Sequence, residues 1–580
     1  MCAINGFTWS DPVLINKMND ALAHRGPDDE GVFVNNQVSL GHRRLSIQDL
    51  SSSGHQPMGD EEKGIWIVFN GEIYNFKEIR TELVKKGYVF KSGSDTEVIL
   101  RAYEEWGINC VERFNGMWGL ALYDHNLEIL FLSRDRFGVK PLYYHLSEKG
   151  LIFSSEVKGI LESNIKREPN DRIVFEYLAF GYVDHTEETF FSGIYKLIPG
   201  ENLIYDLRNK KAKKVKWYDY DARVKKLRKK VQLWSTEEKI EKIKDLFKSG
   251  IEYRMISDTP VGSCLSGGID SSAIVYNMKG GEIKTFSMVY PGQEKDESKY
   301  IKEVVEDTEV KSLTTTPAKK ELMEDLQDLI RTQEEPFRST SIYGQYRVMK
   351  LAHENGMKVL LDGQGADELF AGYFTYFKYY FWELGLKGRV WEAREYYRGL
   401  GDLITFPMAI VLSKIGLGSV VSWYLKPRYL KNFKTNCNIL DNRGFELESS
   451  LKSDLLQYSV PQLLRYEDKN SMRWSIESRT PFLDYRFVEL AGALDVRDKL
   501  RDGVSKWIFR EAMRGVVGEE ILDRKDKVGF EIPDWDIEEL IKEVGNRKYW
   551  DVGRVRGIED FEKLWRVVNV EMWLRGFIDK

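Results

Sequence analysis

Pro260 to Leu265 reads as a buried strand that runs directly into a glycine- and serine-rich loop, Ser266-Gly267-Gly268-Ile269-Asp270-Ser271-Ser272, and then into a helix from about Ser272. Two more buried-strand patterns follow, Ile283 to Tyr290 and Lys358 to Leu361, each separated by helical segments. Strand and helix in alternation call for a parallel sheet covered by helices. The C-terminal half is therefore expected to be α/β.

At 580 residues the chain is too long for a single core, so two or three domains are expected. From Met1 to about Tyr220 the texture differs, with short β-rich runs between Gly, Asn and Asp turns. Ile65 to Phe69, Met117 to Tyr123 and Ile129 to Ser133 read as strands, with a hairpin at Asp124-His125-Asn126. A helical pattern at Thr96 to Trp106 makes this region α+β. Residues 221–235 are polar and basic without periodicity, which predicts a linker. Ser235-Thr236-Glu237-Glu238 is a capping-box signature that opens a helix with Ile240, Ile243, Phe247 and Ile251 on one side. The expected division is thus 1–220, a linker over 221–235, and 236–580.

A formal net charge of −5 gives no electrostatic reason to expect nucleic acid or an anionic membrane surface. Four scattered cysteines (Cys2, Cys110, Cys264, Cys437) form no CxxC pair, which argues against a zinc site or a disulfide framework and favours a reducing cytoplasm. The N-terminus carries no signal-peptide pattern. Phe406 to Leu425 approaches the length of a membrane span, but Pro407, Lys414, Gly416 and Gly418 favour a packed helical pair instead. The stretch from Gly372 to Tyr429 is rich in Tyr, Phe and Trp and reads as helical.

Cys2 becomes the N-terminal residue once Met1 is removed, and a small side chain at that position tolerates the removal. Its own α-amine, with an ordinary pKa of about 7.7–8.0, could then relay the thiol proton. Alone, a cysteine at position 2 carries little weight. Its companions appear in a fixed order: His24-Arg25-Gly26-Pro27-Asp28, Arg44-Leu45-Ser46-Ile47, Asn70-Gly71-Glu72, Ser94-Asp95-Thr96-Glu97 and Arg134-Asp135-Arg136-Phe137-Gly138. The series over roughly 2–215 resembles the N-terminal-nucleophile glutaminase domain of class II amidotransferases, which implies an αββα sandwich. The resemblance implies Cys2 as nucleophile and Asn70 with Gly71 as the oxyanion hole, where each donor is worth about 2.7–4 kcal/mol. It also implies that Arg44 holds the glutamine α-carboxylate, for which a guanidinium fork is well shaped. Glu72 and Asp95 match positions that recognise the α-ammonium end. Taken singly, Asn70-Gly71 could be a hairpin turn, and Arg44 or Asp95 a surface ion pair. His24 is expected to be structural, since the family uses the terminal amine as its base.

In the C-terminal half, the loop Ser266 to Ser272 lets backbone approach a phosphate, and its serines and helix N-terminus supply donors. It resembles the pyrophosphate loop of ATP pyrophosphatases, and residues 236–530 resemble the synthetase domain of class B asparagine synthetases. That resemblance implies ATP contacts from Leu265, Ser266, Gly267, Gly268, Asp270, Ser271, Ser272, Met288, Asp362 and Gly363. It implies Mg²⁺ on Asp270 and Asp367, a catalytic Lys506, and a segment Ser475 to Asp484 like the family's EARVPFLD. Glutamine, aspartate and ATP are the implied substrates, with ammonia passing through an interdomain tunnel and a homodimer among the expected assemblies. One position departs: the loop Asp362-Gly363-Gln364-Gly365 has Gln364 where many asparagine synthetases have Glu. That leaves a second expectation open, amidation of another carboxylate such as a sugar acid or cell-wall component.

Overall fold

The computed structural model describes residues 2–293, 296–396, 424–426, 429, 446–524, 537–542 and 544–579. The N-terminal strands are β1 (Ala3–Phe7), β2 (Asp29–Val34), β3 (Ser39–Arg44), β4 (Met58–Asp60), β5 (Ile65–Ile73), β6 (Gly116–Asp124), β7 (Ile129–Arg134), β8 (Tyr143–Ser147), β9 (Gly150–Ser154), β10 (Ile194–Lys196), β11 (Glu201–Asp206) and β12 (Lys211–Lys216). They form two six-stranded antiparallel sheets, ordered β10-β8-β9-β1-β3-β2 and β12-β11-β7-β6-β5-β4.

The period of two along these strands explains the layers. Val68, Ala121, Tyr123, Leu130 and Leu132 turn inward and meet Ile4, Leu40, Leu151 and Phe153 of the other sheet. The alternate residues Ile67, Phe69, Leu120, Leu122 and Phe131 turn outward under the helices Phe76–Lys85 and Asp95–Trp106. On the far side Phe7 and Ile152 pack with Ile15 and Met18 of helix Pro12–Ala21 and with Ile160 of helix Val157–Leu161. The result is the expected αββα sandwich. The hairpin also stands where expected, with Asp124 paired to Ile129.

The C-terminal sheet is parallel throughout: β13 (Val261–Cys264), β14 (Lys284–Met288), β15 (Lys311–Thr315), β16 (Val359–Leu361) and β17 (Glu477–Arg479), in the order β15-β14-β13-β16-β17. One face packs Val261 and Val359 with Ile274, Phe247, Phe482 and Phe509. The opposite face packs Phe286 and Leu360 with Val348, Met349 and Ala352 of helix Ile342–Glu354.

Residues 221–235 differ from expectation. Tyr220–Val231 is a helix, N-capped by Asp219 and laid against helix Tyr485–Ala493. Tyr220, Val224 and Val231 are buried on one stripe while the lysines project outward. A Cβ on Gly492 would come within 2.3 Å of Tyr220 Oη, so the two helices meet at a glycine. The capping box at Ser235 forms as read, with the Ser235 and Glu238 bonds both present. Among the described residues no helix is long and apolar enough to cross a membrane. The stretch 406–425 lies outside the described residues except for Tyr424 and Leu425, and so does Cys437.

Candidate functional site

Cys2 directly precedes β1 and lines a pocket open to solvent, together with Arg44, Gln48, Gly71, Glu72 and Asp95, among others. The Cys2 N–H donates to Asn70 Oδ1 at 3.0 Å. The same side chain leaves Asn70 Nδ2 buried without a hydrogen-bond partner. Buried donors are rarely left so, and a donor in such a position can stabilise a developing negative charge. Asn70 and Gly71 lie in mid-strand on β5, opposite Gly119 and Trp118, so the hairpin-turn alternative falls away. A Cβ on Gly71 would stand 2.0 Å from Met117 O, which leaves room only for glycine.

Arg44 ends β3, and its guanidinium donates to the carbonyls of Ser51 (2.8 Å), Gln48 (3.4 Å) and Asp49. Those bonds hold the fork at the cavity wall rather than in a surface ion pair. Asp95 opens helix Asp95–Trp106 and accepts from Ile73 N at 2.8 Å, while burial pushes its carboxyl up to about 6. Burial, then the charge of Glu477, holds Glu72 well above the usual carboxylate range. Burial also raises the Cys2 thiol, so this side chain would need a base to be deprotonated.

His24 does not line this cavity. Its ring sits 3.3 Å from Glu156, and burial lowers its pKa, consistent with a structural place. The Arg134–Gly138 motif is likewise a scaffold. Asp135 Oδ1 accepts from the amides of Phe137, Gly138 and Val139, and Arg134 holds the carbonyls of Lys140, Leu197 and Gly138.

Several partners escape a sequence reading. Arg25 Nε donates to the Cys2 carbonyl at 3.1 Å, and Arg25 Nη1 binds both Glu156 and Asp468 at 2.7 Å. Arg479 Nη2 lies 3.4 Å from Glu72 Oε1, and its Nε donates to Glu477 at 2.5 Å. Gln48 Nε2 donates to Glu72. The C-terminal domain thus reaches the Cys2 pocket through Asp468, Glu477 and Arg479. The available signal was the motif position of Arg25 and Arg479, though nothing local names their partners.

The second constellation sits at the carboxyl ends of the parallel strands. Leu265 follows β13 and Met288 ends β14. Ser266 N donates to Ser271 Oγ at 3.1 Å, and Ser271 Oγ donates to Gly268 O at 3.2 Å, curling the loop on itself. Gly267 takes φ +73°, and a Cβ there would lie 2.9 Å from Tyr300 Cβ. Asp362 and Gly363 abut this loop, since a Cβ on Gly363 would stand 3.2 Å from Asp270 Cβ.

Lys506 joins the two loops. Its Nζ donates to Asp270 Oδ1 (2.6 Å) and Oδ2 (2.5 Å) and lies 2.8 Å from Asp367 Oδ1. Burial alone would lower this ammonium, but Asp270 and then Asp367 hold it above its ordinary range. A Cβ on Gly372 would fall 1.8 Å from Asp367 Oδ1 and 2.4 Å from Lys506 Cε, so the cluster is tightly enclosed. Two carboxylates sharing one cation fit Mg²⁺, which takes one or two carboxylates together with phosphate oxygens and water. Among the described residues no group of three or more His, Cys, Asp and Glu is arranged to hold a metal by itself. The remaining coordination would have to come from phosphate and water.

Two family models match the chain, one in each half. A family model described as a glutamine amidotransferase domain matches residues 1–218, and one described as asparagine synthase matches residues 242–575. A putative glutamine-hydrolysing asparagine synthetase of Methanocaldococcus jannaschii is 38% identical, covering 66% of this chain and 77% of that one. A glutamine-hydrolysing asparagine synthetase of Bacillus subtilis is 32% identical over 90% of this chain and 84% of its own. An amidase of Gibberella zeae is 26% identical over 97% and 88%. With a matching model over more than half its length, the chain belongs to the asparagine synthase family and carries a glutamine amidotransferase domain ahead of the synthase domain.

Proposed function

We propose that the chain is a glutamine-hydrolysing asparagine synthetase, with glutaminase chemistry over 1–220 and ATP-dependent aspartate amidation over 236–580. The observation that carries the reading is Asn70. It fixes the Cys2 backbone with one side-chain atom and keeps the other free beside the nucleophile. After removal of Met1, the Cys2 α-amine takes the thiol proton, and the thiolate attacks the glutamine side-chain amide. Asn70 Nδ2 and the Gly71 N–H receive the oxyanion. Arg44 binds the α-carboxylate, and Glu72 with Asp95 the α-ammonium. The adduct then breaks its C–N bond as the α-ammonium of Cys2 returns the proton to the leaving nitrogen, so ammonia departs and a thioester remains, which water hydrolyses to glutamate.

The loop Ser266 to Ser272 holds ATP phosphates, with Leu265, Met288, Asp362 and Gly363 at the rest of the nucleotide. Asp270 and Asp367 would hold Mg²⁺, which would neutralise charge at those phosphates. Lys506, buried between the two carboxylates, is placed to neutralise charge on the acyl-adenylate and on the amide-forming intermediate. Ammonia passing between the domains converts β-aspartyl-AMP to asparagine, with AMP and pyrophosphate as the other products. A homodimer and a cytoplasmic setting belong to the same reading.

Gln364 favours a second reading in which another carboxylate takes the place of aspartate. AMP release with glutamine, MgATP and either aspartate or a panel of sugar acids and other carboxylates separates the two. Aspartate-dependent AMP with an asparagine product supports the first; AMP only with another acid supports the second.

A further inference from the structure

One helix links the two constellations. Val460–Arg473 is buried along most of its length, and two successive acids on it serve different sites. Asp468 holds Arg25 through both oxygens, at 2.7 and 3.1 Å, and Arg25 holds the carbonyl of Cys2. Glu467 instead accepts through Oε1 from Ser478 Oγ on β17. The Ser478 carbonyl accepts from Lys140 Nζ at 3.3 Å, and Lys140 belongs to the N-terminal domain. Burial raises the Glu467 carboxyl well above its usual range, followed by the charge of Asp362, while Lys140 opposes them. Asp362 in turn opens the loop whose Gly363 abuts Asp270.

Glu467 is only 2% exposed, yet its Oε2 has no hydrogen-bond partner. A buried oxygen of this kind is uncommon and leaves a place where a small polar guest can bind. Through Ser478 the Glu467 carboxyl is tied to a residue whose carbonyl a lysine of the N-terminal domain holds, and it also feels the charge of Asp362, the first residue of the second loop. The one species that the two proposed reactions exchange is ammonia. We propose that Glu467 is a positioning residue that receives ammonia at the domain boundary and directs it to the loop at Asp362. No bond is made or broken: ammonia arrives and leaves as NH₃, donating an N–H to Oε2 in passing. The proposal rests on the asparagine synthetase reading.

The test uses the full chain with amide-¹⁵N-glutamine, aspartate and MgATP, in an excess of unlabelled ammonium. Glutamate, AMP and the ¹⁵N content of asparagine are read together. Glu467→Gln keeps the volume and removes the carboxyl. The expected result is about a tenfold fall in ¹⁵N-asparagine per glutamate, the scale of one hydrogen bond lost from a buried group. Glutamate formation and synthesis from free ammonium should stay unchanged, which also shows that the variant folds. Glu467→Asp, which keeps a carboxyl, should couple better than Glu467→Gln.

Unchanged transfer in Glu467→Gln would overturn the proposal. So would equal loss in both variants, or a raised KM for ATP, which would assign Glu467 to the nucleotide loop. Loss of coupling in the variant alone concerns Glu467. Absence of asparagine in the wild-type protein from either nitrogen source would instead overturn the underlying reading and the ammonia route with it.

Discussion

Asn70→Asp isolates the donor half of a residue that has two functions. The aspartate keeps an oxygen to accept from Cys2 N, now 3.0 Å from Asn70 Oδ1, but has no N–H₂ to offer the oxyanion. Loss of one oxyanion-hole donor costs about 2.7–4 kcal/mol, or roughly 10²–10³ in kcat. A carboxylate in that place also repels the developing charge, so the upper part of the range is expected. Glutamate release under saturating glutamine measures kcat, and its glutamine dependence measures KM. The account predicts a large fall in kcat with little change in KM, and unchanged synthesis from ammonium. A raised KM with kcat intact would make Asn70 a binding residue. A fall of less than about tenfold would refute the oxyanion role.

Lys506→Met leaves Asp270 and Asp367 without the cation they share; breaking a buried pair in this way costs about 3–5 kcal/mol. The variant should unfold at lower temperature, regain more stability from added Mg²⁺ than the wild type does, and lose ATP-dependent synthesis while still hydrolysing glutamine. Equal Mg²⁺ stabilisation of both proteins would count against the shared cation site. Asp95, raised by burial from 3.8 to about 6, binds its proton more tightly folded than unfolded. Its contribution to stability is therefore full below about pH 4 and is lost as pH rises through about 6. In the proposed mechanism the ionised form binds the glutamine α-ammonium, so KM for glutamine should fall as pH rises through about 6, and Asp95→Asn should remove that step.

How much of this was legible depends on the range of the signal. The alternation in β5 to β7, the capping box at Ser235 and the loop at Ser266 are set by neighbours a few residues apart, and each appears in the structure. The helix Tyr220–Val231 was missed although Tyr220, Val224, Leu227 and Val231 keep helical spacing, because the dense lysines and arginines obscure so narrow a stripe. Strand β17 was invisible for another reason. Glu477, Ser478 and Arg479 have no β-like character and are buried because ion pairs and ladder bonds satisfy them. Most of the residues that line the Cys2 pocket fall in the ordered motifs, whereas the clamp behind it was not legible. Arg25 and Asp468 are 443 residues apart, and no local period connects them.

The central claim is that two separable chemistries meet on one chain, and Cys2→Ala tests it most directly. Glutamate, AMP and asparagine are measured with glutamine alone and with ammonium alone. The account predicts no glutamine-dependent product and undiminished ammonium-dependent asparagine with matching AMP. Retained glutamine use, or loss of synthesis from ammonium in a folded variant, would contradict it.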